Sequence, residues 1–151
     1  MLDIYVDADG CPVKNEVYRV ASRYGIRVIL VANARMRVPR DEADIELVLV
    51  DDEIDAADNW IADHAGPGDL VITDDIPLAA RCVKAGAHVL SPRGRVFDPE
   101  NVGSALAARD LSAYLREIGV ETGGPAPFEK RDRSEFLQRL DEVIQAVRRG
   151  Q

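Results

Sequence analysis

The segment 2–14 (LDIYVDADGCPVK) constrains the fold more than any other, because an apolar run ends there in the carboxylates of Asp7 and Asp9. Short apolar, β-branched runs are typical of buried parallel strands, and open parallel sheets bind ligands at the carboxyl ends of their strands. Gly10 and Pro12 then predict a turn into a helix. We therefore expect both carboxylates at a ligand-binding edge. Simple helix capping by one of them is the alternative.

The rest of the chain alternates between strand and helix patterns, which predicts a three-layer α/β/α fold. Further buried runs predict strands at 26–32, 45–50, 69–73 and 87–90. Apolar residues at helical spacing predict helices at 13–24, 55–65, 77–85, 102–118 and 134–148. The segment between the second and third strands, residues 33–40, reads as a polar loop. Right-handed crossovers favour a mostly parallel, Rossmann-like sheet of five strands in the order 3-2-1-4-5.

A second pair of carboxylates, Asp74 and Asp75, follows the fourth predicted strand. In the order 3-2-1-4-5 this strand lies beside the first, so the pair faces Asp7 and Asp9 across the ligand crevice. Carboxylates brought this close raise one another's pKa unless a cation neutralises them. Oxygen ligands without convergent His or Cys indicate Mg²⁺ or Mn²⁺. We therefore predict a divalent metal site.

Basic residues near this edge suggest the substrate. Lys14 begins the first helix, and Arg93 and Arg95 follow the fifth strand, where they could hold a phosphate. Mg²⁺ and Mn²⁺ activate water for attack on phosphodiesters. The sequence therefore predicts a metal-dependent nuclease acting on RNA or another single-stranded nucleic acid. Each of these residues, taken alone, is better read as a solvated surface charge, and only its position near the site favours a contact to phosphate.

Composition narrows the class of protein. The 151 residues carry a net charge of −8, which argues against coating nucleic acid by bulk attraction but not against a nuclease that concentrates cations. No apolar stretch approaches the roughly 20 residues of a membrane span, and no basic leader precedes Asp3, so we expect a cytoplasmic protein. Cys11 and Cys82 are expected to be reduced thiols, with a catalytic Cys11 as the weaker alternative.

Three separated motifs carry a resemblance to a known family: DADGCPVK at 7–14, GDLVITDDIPLAARCVKAGAHVLSPRGR at 68–95, and GGPAPF with RDRSEF at 123–136. Together they resemble the YaiI/YqxD family of bacterial proteins, which is grouped with the PIN-like nucleases. The resemblance covers nearly the whole chain. It implies a single PIN-like domain over 1–151, with a core at about 1–118 and a family-specific loop and helix at 119–151.

The PIN-like pattern also implies roles for individual residues. Its first-strand aspartate corresponds to Asp7, its central-helix acid to Asp55 or Asp58, and its Thr-x-Asp pattern to Thr73 and Asp75. On this basis Asp7 and Asp75 are the expected catalytic residues. Asp58 joins Asp7, Asp9, Asp74 and Asp75 as an expected metal ligand. For Asp55 and Asp58, helix-start chemistry is the alternative.

Two segments depart from the PIN-like pattern. A later aspartate is replaced by Ser91-Pro92-Arg93-Gly94-Arg95, which implies one metal ion rather than two. The segment 123–136 lies outside the PIN-like core and is expected to fold back as a basic flap. Arg131 and Arg133 of this flap are therefore also expected to bind phosphate, as is Thr73 of the Thr-x-Asp pattern.

Two other functions fit parts of the sequence. Asp7-x-Asp9-Gly10 resembles the nucleophile motif of haloacid-dehalogenase-type phosphatases, in which Asp7 would form a phosphoaspartate. Cys11, where that family has Thr or Val, and the lack of a convincing lysine motif count against it. A non-catalytic module that binds a metal or a partner is the second alternative, since acidic strand ends are often simple turns.

Overall fold

A computed structural model describes residues 2–39, 44–123 and 126–150. Arg40 of the predicted loop and Gly124 and Pro125 of the predicted flap lie outside the described residues. The strands are β1 (Asp3–Asp7), β2 (Arg27–Ala32), β3 (Ile45–Leu49), β4 (Leu70–Ile72), β5 (His88–Leu90) and β6 (Val96–Phe97). The helices are α1 (Lys14–Tyr24), α2 (Ala56–His64), α3 (Ile76–Lys84), α4 (Val102–Glu117) and α5 (Lys130–Arg148).

The strands form one mixed sheet in the order β3-β2-β1-β4-β5-β6. The first five are parallel, which confirms the predicted order 3-2-1-4-5. The predicted number of strands is wrong, because β6 adds an antiparallel strand beside β5. The turn at 91–95 joins them, and the N–H of Ser91 donates to the carbonyl of Arg95 over 2.8 Å. A two-residue strand is too short to leave a period in the sequence.

Alternation along β1 places helices on both faces of the sheet. Ile4 and Val6 are fully buried in one core with α1 and α5, whereas Tyr5 belongs to a second core with α2, α3 and α4. Successive residues of a strand point to opposite faces, so a central strand covered on both sides is apolar throughout. The three-layer arrangement follows from this pattern.

Helix α5 belongs to the first of these cores. Phe136, Leu140 and Ile144 recur at four-residue spacing and each is 0% exposed. The helix begins four residues before its predicted start, because Glu129 and Asp132 form a reciprocal capping box. In the described part of the chain, no helix is both long and apolar enough to cross a membrane.

Gly94, at the tip of the β5–β6 hairpin, lies directly against α5. Its φ is +90°, and a Cβ there would come within 2.9 Å of the Glu135 carbonyl carbon. We expect Gly94→Ala to lower the free energy of unfolding by about 2 kcal/mol, since it adds a backbone penalty to a steric one. Urea unfolding measures this loss.

Gly103→Ala is the matched control, because Gly103 is helical and a Cβ there meets no atom within 4 Å. It should stabilise the protein by about 0.5 kcal/mol or more. Equal effects from the two substitutions would contradict the close approach of the hairpin to α5.

Candidate functional site

A cavity of about 300 Å³ lies at the carboxyl ends of β1 and β4. The two strands are neighbours, but β1 is followed by α1 on one face of the sheet and β4 by α3 on the other face. Open α/β sheets bind ligands at such a point. The lining residues are Asp7, Asp9, Gly10, Cys11, Pro12, Asp74, Asp75, Pro92, Arg93 and Phe128. The four aspartates predicted to share a crevice therefore line one cavity.

The turn after β1 is held by its own backbone and by Lys14. The N–H of Cys11 donates to the carbonyl of Ala8, and the Lys14 ammonium donates to the carbonyls of Ala8 and Cys11 over 3.3 and 3.0 Å. Asp9 Oδ2 accepts the N–H of Asn33 over 2.9 Å, which ties the turn to the end of β2. Lys14 was predicted to bind phosphate, but its ammonium group instead binds backbone carbonyls of this turn.

Thr73 connects the ends of β1 and β4. It is 1% exposed; its hydroxyl donates to Asp7 Oδ2 and accepts the N–H of Asp75, both over 3.0 Å. Asp75 in turn caps α3, because its Oδ1 accepts the N–H of Leu78 over 2.9 Å. Thr73 was predicted to bind phosphate, and these bonds give it the role of fixing two carboxylates.

Helix α2 brings a fifth carboxylate to this group. Burial, followed by the charges of Asp75 and Asp7, raises the pKa of Asp58 to about 7. Burial also raises the pKa of Asp7, with smaller contributions from Asp75, Asp9 and Asp74, while the Thr73 hydrogen bond opposes the rise. Of the two acids that the sequence left open, Asp55 and Asp58, it is thus Asp58 whose pKa is raised by the charges of Asp75 and Asp7. Asp55 precedes the helix in a left-handed conformation, with φ of 68°.

The raised pKa of Asp58 predicts a stability that falls with pH. In metal-free buffer the folded state retains a proton on Asp58 up to about pH 7, whereas the unfolded chain loses it near pH 4. Unfolding therefore releases a proton in this window, and stability decreases as pH rises through it. Asp58→Asn should stabilise the protein by about 1–2 kcal/mol at pH 8, after allowance for solvent screening, with a gain that shrinks toward pH 4.

Chemical denaturation in EDTA at several pH values measures this gain. Asp63→Asn, on the exposed side of the same helix, is the control and should change stability by less than about 0.5 kcal/mol throughout. A gain for Asp58→Asn that does not vary with pH would show that Asp58 is ionised like a surface carboxylate.

Residues 126–133, here called the strap, bring Phe128 to the same cavity. Arg93 donates to the carbonyl of Ala126 and pairs with Asp132 over 3.2 Å. The centre of the Phe128 ring lies 5.7 Å from the guanidinium carbon of Arg93 and 5.2 Å from that of Arg133. The segment expected to be a flap therefore reaches the cavity. Sequence reasoning did not single out Phe128, whose only signal was its place in a loop rich in Gly and Pro.

The arginines predicted to bind phosphate differ in their surroundings. Arg133 donates to the carbonyl of Pro12 and pairs with the buried Glu16 over 2.7 Å. Arg131 is exposed and pairs with Glu129. The guanidinium carbon of Arg95 lies 4.9 Å from the centre of the Phe97 ring. Of the four arginines proposed as phosphate ligands, Arg93 is the one that lines the cavity.

The donor set fits Mg²⁺ or Mn²⁺ by its chemistry, since it offers only carboxylate oxygens. Among the described residues, however, no three His, Cys, Asp or Glu side chains are already arranged to hold a metal ion. Hydrogen bonds engage one oxygen each of Asp7, Asp9 and Asp75. Mutual repulsion favours separation of these charges when no cation lies between them.

Both cysteines are free and buried. Cys11 lines the cavity, but burial raises the pKa of its thiol, and burial raises the pKa of Cys82 to about 11. The thiolate is the nucleophilic form of cysteine. The environment of Cys11 therefore does not favour nucleophilic catalysis.

Comparisons with known proteins identify relatives over nearly the full chain. The family model described as "Uncharacterized BCR, YaiI/YqxD family" matches residues 5–146. A UPF0178 protein of Rhodospirillum centenum is 55% identical, with 99% of each chain covered. A UPF0178 protein of Rhodopseudomonas palustris is 53% identical over 97% of this chain and 94% of its own. No solved structure matches. The extent of these matches shows that the chain belongs to the YaiI/YqxD family.

Proposed function

We propose that this protein is a metal-dependent nuclease with a PIN-like fold, which hydrolyses phosphodiester bonds in RNA or another single-stranded nucleic acid. The observation that carries the proposal is that carboxylates at the ends of β1 and β4 line one cavity, and that Asp58 of α2 lies close enough for the charges of Asp7 and Asp75 to act on it. Burial and mutual charge raise the pKa of Asp7 and Asp58 there, so the bare cluster is electrostatically unfavourable. Such a cluster is stabilised by a cation.

The proposed ligands are Asp7, Asp9, Asp58, Asp74 and Asp75. When bound, Mg²⁺ or Mn²⁺ would supply a Lewis acid and an activated water. Asp7 and Asp75 are the proposed catalytic residues, because Thr73 fixes both at the junction of the two strands. These hydrogen bonds restrict the side chains of Asp7 and Asp75 before substrate binds, so less conformational freedom is lost when the reactive geometry forms.

Arg93 is the proposed contact to the substrate phosphate. Its guanidinium is half-buried in the cavity wall and is held by Asp132 and the carbonyl of Ala126. A positioned guanidinium has further N–H donors in a planar fork that matches phosphate oxygens. With a net charge of −8, the protein must rely on such local cations rather than on its overall field.

The test is cleavage of 5′-labelled 20-nucleotide RNA and DNA single strands in Mg²⁺, Mn²⁺ or EDTA. We expect products only with metal. Asp75→Asn should be slower by about a hundredfold or more. Asp51→Asn changes an exposed aspartate at the end of β3 and should retain the wild-type rate. Absence of products in both metals, or equal rates for wild type and Asp75→Asn, would refute the proposal.

A further inference from the structure

Building on the proposed nuclease function, we propose that the cavity holds one unpaired nucleotide of a single strand. Its base would pack against Phe128 and Pro92, and its phosphate would face the aspartates. Phe128 would then be the residue that distinguishes a base-bearing strand from a bare sugar-phosphate backbone.

The lining of the cavity combines charged and uncharged side chains. Asp7, Asp9, Asp74 and Asp75 supply carboxylates, and Arg93 supplies a guanidinium. The remaining side chains are uncharged and include one aromatic ring: Phe128, Pro92, Pro12 and Cys11. Hydrolysis of a phosphodiester needs no such uncharged group. A nucleobase does fit it, because every base has a flat π-face that packs on aromatic side chains whatever its identity.

The aromatic ring is held in place before any substrate arrives. The guanidinium carbons of Arg93 and Arg133 lie 5.7 and 5.2 Å from the centre of the Phe128 ring, and each guanidinium forms an ion pair, with Asp132 and Glu16 respectively. A preformed contact surface loses little conformational entropy on binding. The two guanidiniums also place positive charge beside the ring, where the phosphates that flank a bound base would lie.

The size of the cavity favours one unpaired nucleotide over a duplex. Its volume of about 300 Å³ is at the lower end of small-molecule sites. The strap and the β5–β6 turn both contribute to its lining and are joined to each other, as Arg93 of that turn is bonded to Ala126 and Asp132 of the strap. Bases in a duplex are stacked and paired, so an enzyme must extrude one before a pocket of this size can take it.

The experiment measures binding by fluorescence anisotropy, with Ca²⁺ in place of Mn²⁺ to limit cleavage. The probes are a labelled 12-nucleotide oligouridylate, an abasic strand of equal length and a 12-base-pair duplex. We expect Phe128→Leu to weaken binding of oligouridylate about tenfold, the scale of one lost base contact, and to change abasic binding by less than about twofold. Phe128→Tyr should restore wild-type affinity. Tyr114→Leu, which removes an aromatic ring on the exposed part of α4, is the matched control.

Three results would overturn the inference: equal wild-type affinity for abasic and base-bearing strands, an equal loss on both strands in Phe128→Leu, or a duplex that binds as tightly as the single strand. If the wild type still cleaves RNA in Mn²⁺, the nuclease proposal survives such a result. If the wild type neither binds nor cleaves any strand, both proposals fall.

Discussion

Saturating Mn²⁺ is expected to raise the melting temperature of this protein by about 5–10 °C at pH 8. A ligand that binds only the folded state at a hundred times its Kd adds about 2.7 kcal/mol of stability. For a chain of this size, each kcal/mol corresponds to roughly 2–4 °C. Burial, followed by the neighbouring negative charges, raises the pKa of Asp7 and Asp58, and Mn²⁺ would offset both effects by stabilising the ionised carboxylates. Differential scanning fluorimetry in EDTA and in Mn²⁺ measures the shift.

Asp7→Asn should remove most of this shift, because it deletes the charge at the centre of the cluster. Asp51→Asn, which leaves the cavity unchanged, should retain it. An equal shift in all three proteins would place the bound Mn²⁺ elsewhere on the acidic surface. If the melting temperature shifts in none of the three proteins, the cluster does not bind Mn²⁺.

Phe136→Ala is expected to lower the free energy of unfolding by about 3–5 kcal/mol, the usual cost of deleting a fully buried phenylalanine. Phe136 is 0% exposed and packs with the strands of the first core. This loss is a large part of the 5–15 kcal/mol that stabilises a typical domain. Urea unfolding measures it.

Gln138→Ala, at an exposed position of α5, is the control and should change stability by less than about 0.5 kcal/mol. A loss below about 1 kcal/mol for Phe136→Ala would mean that α5 is only loosely attached. The strap, which leads into α5, would then be a poor wall for the cavity.

Much of the architecture follows from local patterns in the sequence. The runs that became β1 and β2 are apolar on both faces, as strands buried under two layers of helices must be. The strand order followed from crossover handedness, which needs no side-chain detail. The hairpin to β6 was not predicted, because its two residues show no period and its turn was read as a loop.

The acidic side of the site was also predictable, since Asp7, Asp9, Asp74 and Asp75 directly follow two strands that the predicted order makes neighbours. The presence of Phe128 in the same cavity was not predictable. Phe128 reaches the cavity because α5 packs against the sheet. It lies about 120 residues from Asp7 in the sequence, so no local pattern could predict that the two residues line one cavity. The direction of the Lys14 ammonium depends on carbonyls of the preceding turn, which become neighbours only after folding.

The most direct test of the central claim is a crystal of the wild-type protein soaked in Mn²⁺ and measured near the manganese absorption edge. The account predicts an anomalous peak in contact with the carboxylates of Asp7 and Asp75. In a matched crystal of Asp7→Asn, soaked in the same way, that peak should be absent. A well-ordered wild-type cavity with no anomalous peak, or a peak that persists in Asp7→Asn, would contradict the metal site on which the proposed function depends.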